Sequence, residues 1–260
     1  MEIGLSSAVF YPNVKTENSI KLISDLGFLC AEVFLNSPFE YEVDYVKKLV
    51  EIKDKYKLEI SSVHSFSSSF EPYLFDAYKR RRRDMLKFFE MVCKAGKLLG
   101  ANCYTFHGMR LGPSDFISKE LIHDVYNNLT YIAAENEIKL AQENVSWCMS
   151  SSIEYLRNLK ENCRYPIYFT LDIKQAYRAG VNPMEYLEVM DTNLINFHIN
   201  DRDDKHTCLL PGDGTVDFQS IFNKIKSLNY TGNAIMEVYS NNYKSYEDIK
   251  NSKKYLEKFI

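Results

Sequence analysis

Eight short apolar runs alternate with helix-patterned segments along this chain, and no other property of the sequence restricts the fold as much. The runs occupy residues 3–10, 28–35, 58–64, 103–107, 138–143, 167–172, 194–199 and 233–237. Each has the length of a strand. Between them, residues 18–26 form a helical segment closed by Gly27, and residues 77–99 form a longer one that stops at Gly100. Glycine is the usual residue just past a helix C-terminus, because it turns left-handed without a steric penalty. Val46, Leu49 and Val50 recur at helical spacing within residues 44–56, and Leu121, Val125, Leu129, Ile132 and Ala133 form an apolar stripe. Further helices are predicted over residues 151–159, in pieces over 176–190 interrupted at Gly180 and Pro183, after Asp217 as a cap, and over 246–259. Strands that alternate with helices imply a parallel sheet with right-handed crossovers. Eight such units in 260 residues, without a break in composition, predict a single α/β domain over 1–260, a (β/α)8 TIM barrel. A doubly wound open sheet is the alternative, but it does not require polar residues at the ends of many different strands.

Those polar residues are present. The third to eighth runs end, in turn, on His64, His107, Glu143, Asp172, His198 and Glu237. In a barrel these ends ring one mouth, where the active site forms. A lone histidine or glutamate at a strand end is more often a hydrogen-bonded structural residue or an ion-pair partner. Six on consecutive strands are different, because unpaired buried carboxylates are costly and a divalent cation neutralises them. Glu143, Asp172, His198 and Glu237 supply three carboxylates and one imidazole, a set suited to Mn²⁺, Mg²⁺, Co²⁺ or Zn²⁺. Asn200, Asp201, Asp204 and His206 crowd the exit of the seventh run. His64, His107, Asp204 and His206 are therefore candidates for a further metal or for substrate.

Composition removes several function classes. The net charge of −3 lacks the basic footprint that duplex nucleic acid demands, so no nucleic-acid partner is expected. No apolar run reaches the length of a membrane span. Six cysteines without a CxxC pair, together with no basic and apolar leader at Met1, predict free thiols and a cytoplasmic protein. The basic run at 79–83 reads as a solvated helix face with arginines in salt bridges. The Pro-Gly-Asp-Gly stretch at 211–214 lacks a phosphate-loop pattern and reads as a tight turn. Trp147, Phe66, Phe70 and Tyr73 are candidates for an apolar wall over the site, Cys208 reads as incidental, and Glu32 as a structural ion-pair partner.

The motifs Gln142-Glu143-Asn144, Leu171-Asp172-Ile173-Lys174-Gln175-Ala176, Phe197-His198-Ile199-Asn200-Asp201 and Ile235-Met236-Glu237 resemble the xylose-isomerase-like barrel superfamily. That superfamily includes sugar phosphate isomerases and ketose 3-epimerases, hydroxypyruvate isomerases and endonuclease IV (AP endonuclease family 2). The resemblance spans nearly the whole chain. It implies that Glu143, Asp172, His198 and Glu237 bind one catalytic divalent metal, and that Glu143 and Glu237 also move the proton. The implied activity is a metal-dependent sugar or sugar-phosphate isomerase or epimerase of carbohydrate metabolism. There the metal chelates a carbonyl and a neighbouring hydroxyl, one glutamate removes the proton to give a metal-bound cis-enediolate, and the other returns a proton. His64, His107 and Gln175 would hold hydroxyls of the small carbohydrate, and barrels would pair into homo-oligomers. The alternative is an endonuclease IV-like zinc-dependent phosphodiesterase, whose extra ligands match His64, His107, Asp204 and His206 in type and order. One ligand departs: Gln175 stands where that branch has histidine, and glutamine is a poor zinc ligand. A third reading is a sugar-binding barrel without activity.

Overall fold

A computed structural model describes residues 1–112 and 117–260 of the chain. The first half of the order is β1 (Ile3–Ser6), α1 (Thr16–Asp25), β2 (Cys30–Leu35), α2 (Val43–Tyr56), β3 (Glu59–Ser65), α3 (Lys79–Leu99), β4 (Cys103–Phe106) and α4 (Lys119–Glu135). The second half is β5 (Lys139–Glu143), α5 (Ile153–Asn162), β6 (Tyr168–Asp172), α6 (Ile173–Arg178), α7 (Pro183–Met190), β7 (Leu194–Ile199), α8 (Phe218–Ser227), β8 (Ala234–Met236) and α9 (Tyr246–Leu256). The strands pair in parallel in chain order, and β8 closes on β1. The expected eight-stranded barrel is therefore the fold.

Local chemistry sets most of the element ends. The first run is extended only to Ser6, whose hydroxyl accepts the Ala8 N–H and turns the chain into a 3-10 helix over Ser7–Phe10. The predicted interruption between α6 and α7 is present. Gly180 takes φ +72°, then Asn182 caps α7 in a reciprocal box with Glu185 ahead of Pro183. Asp217 caps α8 through the Ser220 N–H at 3.0 Å, and Ile221, Phe222 and Ile225 are buried. Among the described residues no helix is long and apolar enough to cross a membrane.

The period of two along a strand decides what enters the barrel. Glu32, Ser62, Thr105 and Asn196 come from β2, β3, β4 and β7 and bond to one another across the interior. Two residues further along the last three of these strands, on the same face, stand His64, His107 and His198. The interior is thus layered: a polar floor about the fully buried Glu32, then a ring of ligand-type side chains at the C-terminal mouth. Outside, alternate strand residues such as Val63, Tyr104 and Leu171 meet the apolar faces of the helices in one continuous core.

Candidate metal centre

His198 is the best-defined member of the site. Its Nε2 lies 2.9 Å from Glu32 Oε2. A carboxylate only accepts, so Nε2 carries the proton and the lone pair of a neutral ring falls on Nδ1. Nδ1 faces Glu143 Oε1 at 3.5 Å, Glu237 Oε2 at 3.5 Å and Asp172 Oδ2 at 3.9 Å. One ligand atom from each of these four residues lies within 4.8 Å of every other. Glu143 and Asp172 end β5 and β6. Glu237 follows β8, where its N–H bonds to Ile199 O at 3.0 Å. His198 Nδ1 and Asp172 Oδ2 are buried and make no aligned hydrogen bond. Buried polar atoms left in that state are costly, and the two of them facing each other beside Glu143 Oε1 and Glu237 Oε2, an oxygen-rich set with one imidazole, fit a divalent cation.

The floor beneath explains why His198 holds this pose. Glu32 Oε2 accepts from Ser62 Oγ at 2.8 Å, Thr105 Oγ1 at 3.1 Å and Asn196 Nδ2 at 3.3 Å, and Oε1 accepts from Ser6 Oγ at 3.3 Å. A carboxylate on the far nitrogen of a ligating histidine fixes its tautomer and orientation. Glu32 is thus more than an isolated ion pair. The signal in the sequence was a charge inside the otherwise apolar Cys-Ala-Glu-Val-Phe-Leu run.

The charges answer one another. Burial opposes ionisation of Glu143 and Glu237, but His107 beside the first and Lys174 beside the second outweigh it and hold both carboxyls well below the usual range. Burial also works against a charged His198, yet Glu32 and Glu237 raise it well above an ordinary imidazole. Asp172 goes the other way, pushed up to about 6 by burial against the pull of Lys174.

Lys174 was not singled out by the sequence as a site residue. Its side chain is 3% exposed, and Nζ lies 3.0 Å from Glu237 Oε2 and 3.4 Å from Asp172 Oδ2. Burial disfavours its charge, but Asp172 and Glu237 override that and raise its pKa. Nothing in Asp-Ile-Lys-Gln separates this lysine from a solvated one. Its direction follows from the short α6 starting at the mouth.

His64 and His107 form a second grouping with Glu143. His64 Nδ1 is 3.0 Å from Ser65 O, and Nε2 lies 3.7 Å from Glu143 Oε2. His107 Nε2 approaches the same oxygen at 2.9 Å, and its ring meets Trp147 edge-on at 5.2 Å. Two buried residues place His107. Gln142 Nε2 donates to the carbonyls of Phe106, His107 and Glu143. Glu71, in the turn after β3, accepts the His107 and Gly108 N–H groups at 2.8 and 3.0 Å, as well as Tyr104 Oη at 2.6 Å and Ser65 Oγ at 3.0 Å. Gly108 takes φ +79°, and a Cβ there would meet Gln142 Oε1 at 2.9 Å, so the turn needs glycine. Replacing Glu71 by alanine removes the acceptor of four donors, of which only the Ser65 and Tyr104 hydroxyls keep a bond to each other, at 2.7 Å, and a loss of about 3 kcal/mol is expected. Urea denaturation checks it, and an unchanged midpoint would remove Glu71 from this role.

The remaining candidates lie further out. Gln175 donates its N–H to Asp172 Oδ1 at 3.0 Å, while its Oε1 accepts from Ser146 N and Oγ. Asn144 pairs through both amide atoms with the Asp172 backbone, and Asn200 Nδ2 donates to Asp172 Oδ1 at 3.1 Å. Asp204 is fully exposed, and His206 faces Asp203 with its Nδ1 3.0 Å from Oδ1. Among the described residues neither belongs to a metal-type grouping. Asp201 is the organiser of that loop, accepting N–H groups from Arg202, Gly212, Gly214 and Val216, which makes residues 211–214 a pinned turn. Phe70 is buried against Tyr41 and Phe88, away from any wall over the site, while Phe66, Tyr73 and Trp147 are partly exposed. Arg81 at the start of α3 pairs with Asp76 at 2.5 Å, and burial pushes the Cys208 thiol up to about 11.

The chain belongs to the xylose isomerase-like TIM barrel family, whose model matches residues 20–259. It is 25% identical to the uncharacterized protein MJ1311 of Methanocaldococcus jannaschii, with 100% of this chain and 89% of that protein covered. Among solved structures it resembles a D-tagatose 3-epimerase-like protein, with a TM-score of 0.84 at 22% identity over 100% of this chain and 97% of the other. It also resembles the IolI protein with a bound zinc atom, with a TM-score of 0.78 at 17% identity over 100% and 99% of the two chains. At these identities the likeness to solved structures is one of fold.

Proposed function

We propose that this protein is a divalent-metal-dependent isomerase or epimerase of small sugars or sugar phosphates. The observation that carries the reading is the convergence of Glu143, Asp172, Glu237 and His198 Nδ1 on one point at the barrel mouth, within 4.8 Å of one another. These four residues would hold Mn²⁺, Mg²⁺, Co²⁺ or Zn²⁺. When bound, the ion acts as a Lewis acid on the carbonyl and neighbouring hydroxyl of an open-chain sugar. Glu143 and Glu237 then do the proton chemistry. Both are held ionised at rest, as a base must be. One takes the proton from the carbon beside the carbonyl; the other, after taking up a proton from water, delivers it to the opposite face when the product is an epimer, and the first gives its proton back to water. His64 and His107 lie on the Glu143 side and would hold substrate hydroxyls, with Gln175 at the rim. The fold neighbours include a D-tagatose 3-epimerase-like protein and a zinc-bound protein, which supports both the sugar and the metal. Six free cysteines, five of them buried, support a reducing compartment such as the cytoplasm.

Two measurements test the reading. Metal analysis of protein purified without chelator is expected to find about one ion per chain. Incubation with ketoses and ketose phosphates in heavy water is expected to place deuterium at one carbon of the sugar. Protein that binds metal but exchanges no proton in any of them would oppose it. The His64, His107 and Glu143 grouping favours one second reading, a two-metal phosphodiesterase. Incision of an abasic-site duplex, with two or more ions bound, would select it instead.

Metal uptake should release protons. His198 is held protonated well above its ordinary range and Asp172 titrates at about 6, and both must be deprotonated to ligate. The apparent affinity is therefore expected to rise as pH climbs through about 6, where Asp172 titrates, and to go on rising above the ordinary imidazole range. Calorimetry in two buffers of different ionisation heat counts the protons. An affinity flat with pH would contradict the assignment of His198 Nδ1 as a ligand atom.

A further inference from the structure

We propose that Lys174 is a built-in cation of this centre, which shares the carboxylate oxygens with the divalent ion and so weakens and tunes the hold on it. The inference rests on the metal reading of the site and goes beyond it. Lys174 follows Asp172 by two residues, on a helix that starts at the mouth. A lysine stem reaches water readily from such a corner, and Arg178 on the same helix does project outward to Thr207 and Tyr239. Lys174 turns inward instead. Its ammonium sits 3.0 Å from Glu237 Oε2 and 3.4 Å from Asp172 Oδ2. Those are two of the three carboxylate oxygens that face His198 Nδ1, the side a metal would take. The ring of Tyr239 covers the ammonium at 4.8 Å from its centroid, a cation–π contact that favours the inward pose.

The charge balance gives the arrangement a purpose. Glu143, Asp172 and Glu237 bring three negative charges to the centre, and Glu32 lies beneath it as a fourth once His198 is a neutral ligand. The ammonium of Lys174 cancels one of them and repels a second cation brought to the same oxygens. Without Lys174 the centre keeps one more negative charge and attracts a divalent ion more strongly, since charges at such range interact strongly in a water-poor site. Lys174 also hydrogen-bonds Glu237, one of the two proton-moving carboxylates, and fixes the side from which that oxygen meets the ion. It is thus a positioning residue that acts through Glu237 and Asp172.

The test compares wild type with K174M, which keeps the stem and removes the charge, and K174R, which keeps the charge. Mn²⁺ alone, and Zn²⁺ alone in a separate series, are titrated into metal-free protein by calorimetry at fixed pH and salt. K174M is expected to bind about 10-fold tighter or more, the scale on which residues around a metal's ligands act, and K174R to stay near wild type. K174M is also expected to melt lower without metal and to gain more on saturation with Mn²⁺. If metal-free K174M does not hold its fold, all three proteins are loaded with Mn²⁺ first, and its retention is measured against EDTA. K174M is then expected to keep its ion at EDTA concentrations that strip the wild type. Affinity or retention in K174M equal to or below wild type overturns the role of Lys174 and leaves the metal centre standing. Absence of binding by every variant and by wild type overturns the metal centre, and the proposal with it.

Discussion

Glu237→Gln is expected to stop solvent deuterium from entering a ketose substrate while the folded protein still takes up metal. Glutamine has the shape of glutamate and keeps one oxygen to offer as a ligand, but it cannot accept a proton. Glu237 is the most open carboxylate of the centre, with its side chain 12% exposed against 2% for Glu143, so it is the one a bound sugar reaches first. Its Oε2 is positioned by His198 Nδ1 at 3.5 Å and Lys174 Nζ at 3.0 Å. Loss of a positioned general base costs about 10²- to 10⁴-fold in rate. The measurement is mass spectrometry of sugar recovered from heavy water, alongside metal analysis of the same sample. Exchange at the parent rate, with metal bound, would remove Glu237 from proton transfer and leave it a ligand only. Glu143→Gln is expected to behave alike if the two glutamates serve opposite faces of the substrate.

The second large effect is expected at Glu32. In Glu32→Ala the donors of His198 Nε2, Ser62, Thr105 and Asn196 lose their common acceptor inside the barrel. Removing one partner of a buried charged network costs about 3–5 kcal/mol, and a melting temperature lower by about 10 °C is expected for a domain of this size. Glu32→Gln keeps the volume but turns an amide N–H₂ towards groups that are themselves donors, so His198 loses its fixed tautomer. Metal affinity is then expected to fall about 10- to 100-fold. Calorimetric melting and metal titration of both variants check this. A melting temperature within 2 °C or so of wild type for Glu32→Ala would mean the floor is replaceable by water.

The same pair sets a pH window. His198 and its partners hold Glu32 below the ordinary glutamate value against the effect of burial. Its stabilisation is therefore present above the unfolded value, 4.5, and lost as pH falls through the depressed folded one. His198 is raised, so its share is complete below the unfolded value, 6.5, and is lost as pH rises through the folded one. Metal-free protein should be most stabilised by the pair between those limits.

Residue pattern alone carried the architecture. An apolar run of five to eight residues followed by an amphipathic helix, repeated eight times, has few ways to bury its apolar faces, and a closed parallel barrel is one. The barrel in turn places strand ends together, so the chain order alone groups Glu143, Asp172, His198 and Glu237 although they are spread over four successive strands. What a linear pattern does not contain is direction. Asp204 and His206 lie close to His198 in sequence, but Asp201 ties its backbone to Leu209 and gathers four N–H groups, and the loop it builds carries both outward.

Lys174 and Glu71 show the converse. Neither stands in a pattern that marks a charge as buried, and each is buried because tertiary contacts exceed the cost of taking its charge from water: two carboxylates and an aromatic ring for Lys174, four hydrogen-bond donors for Glu71. The sequence by itself determined the barrel and the identity of the ligand-type ring, because hydrophobic period and chain order act locally and the closed sheet converts order into proximity. Only the tertiary structure decided that Glu32 orients His198, that Lys174 enters the centre, and that Asp204 and His206 face water. Those outcomes depend on balances of desolvation against pairing between residues far apart in the chain, and no single stretch of sequence holds both sides of that balance.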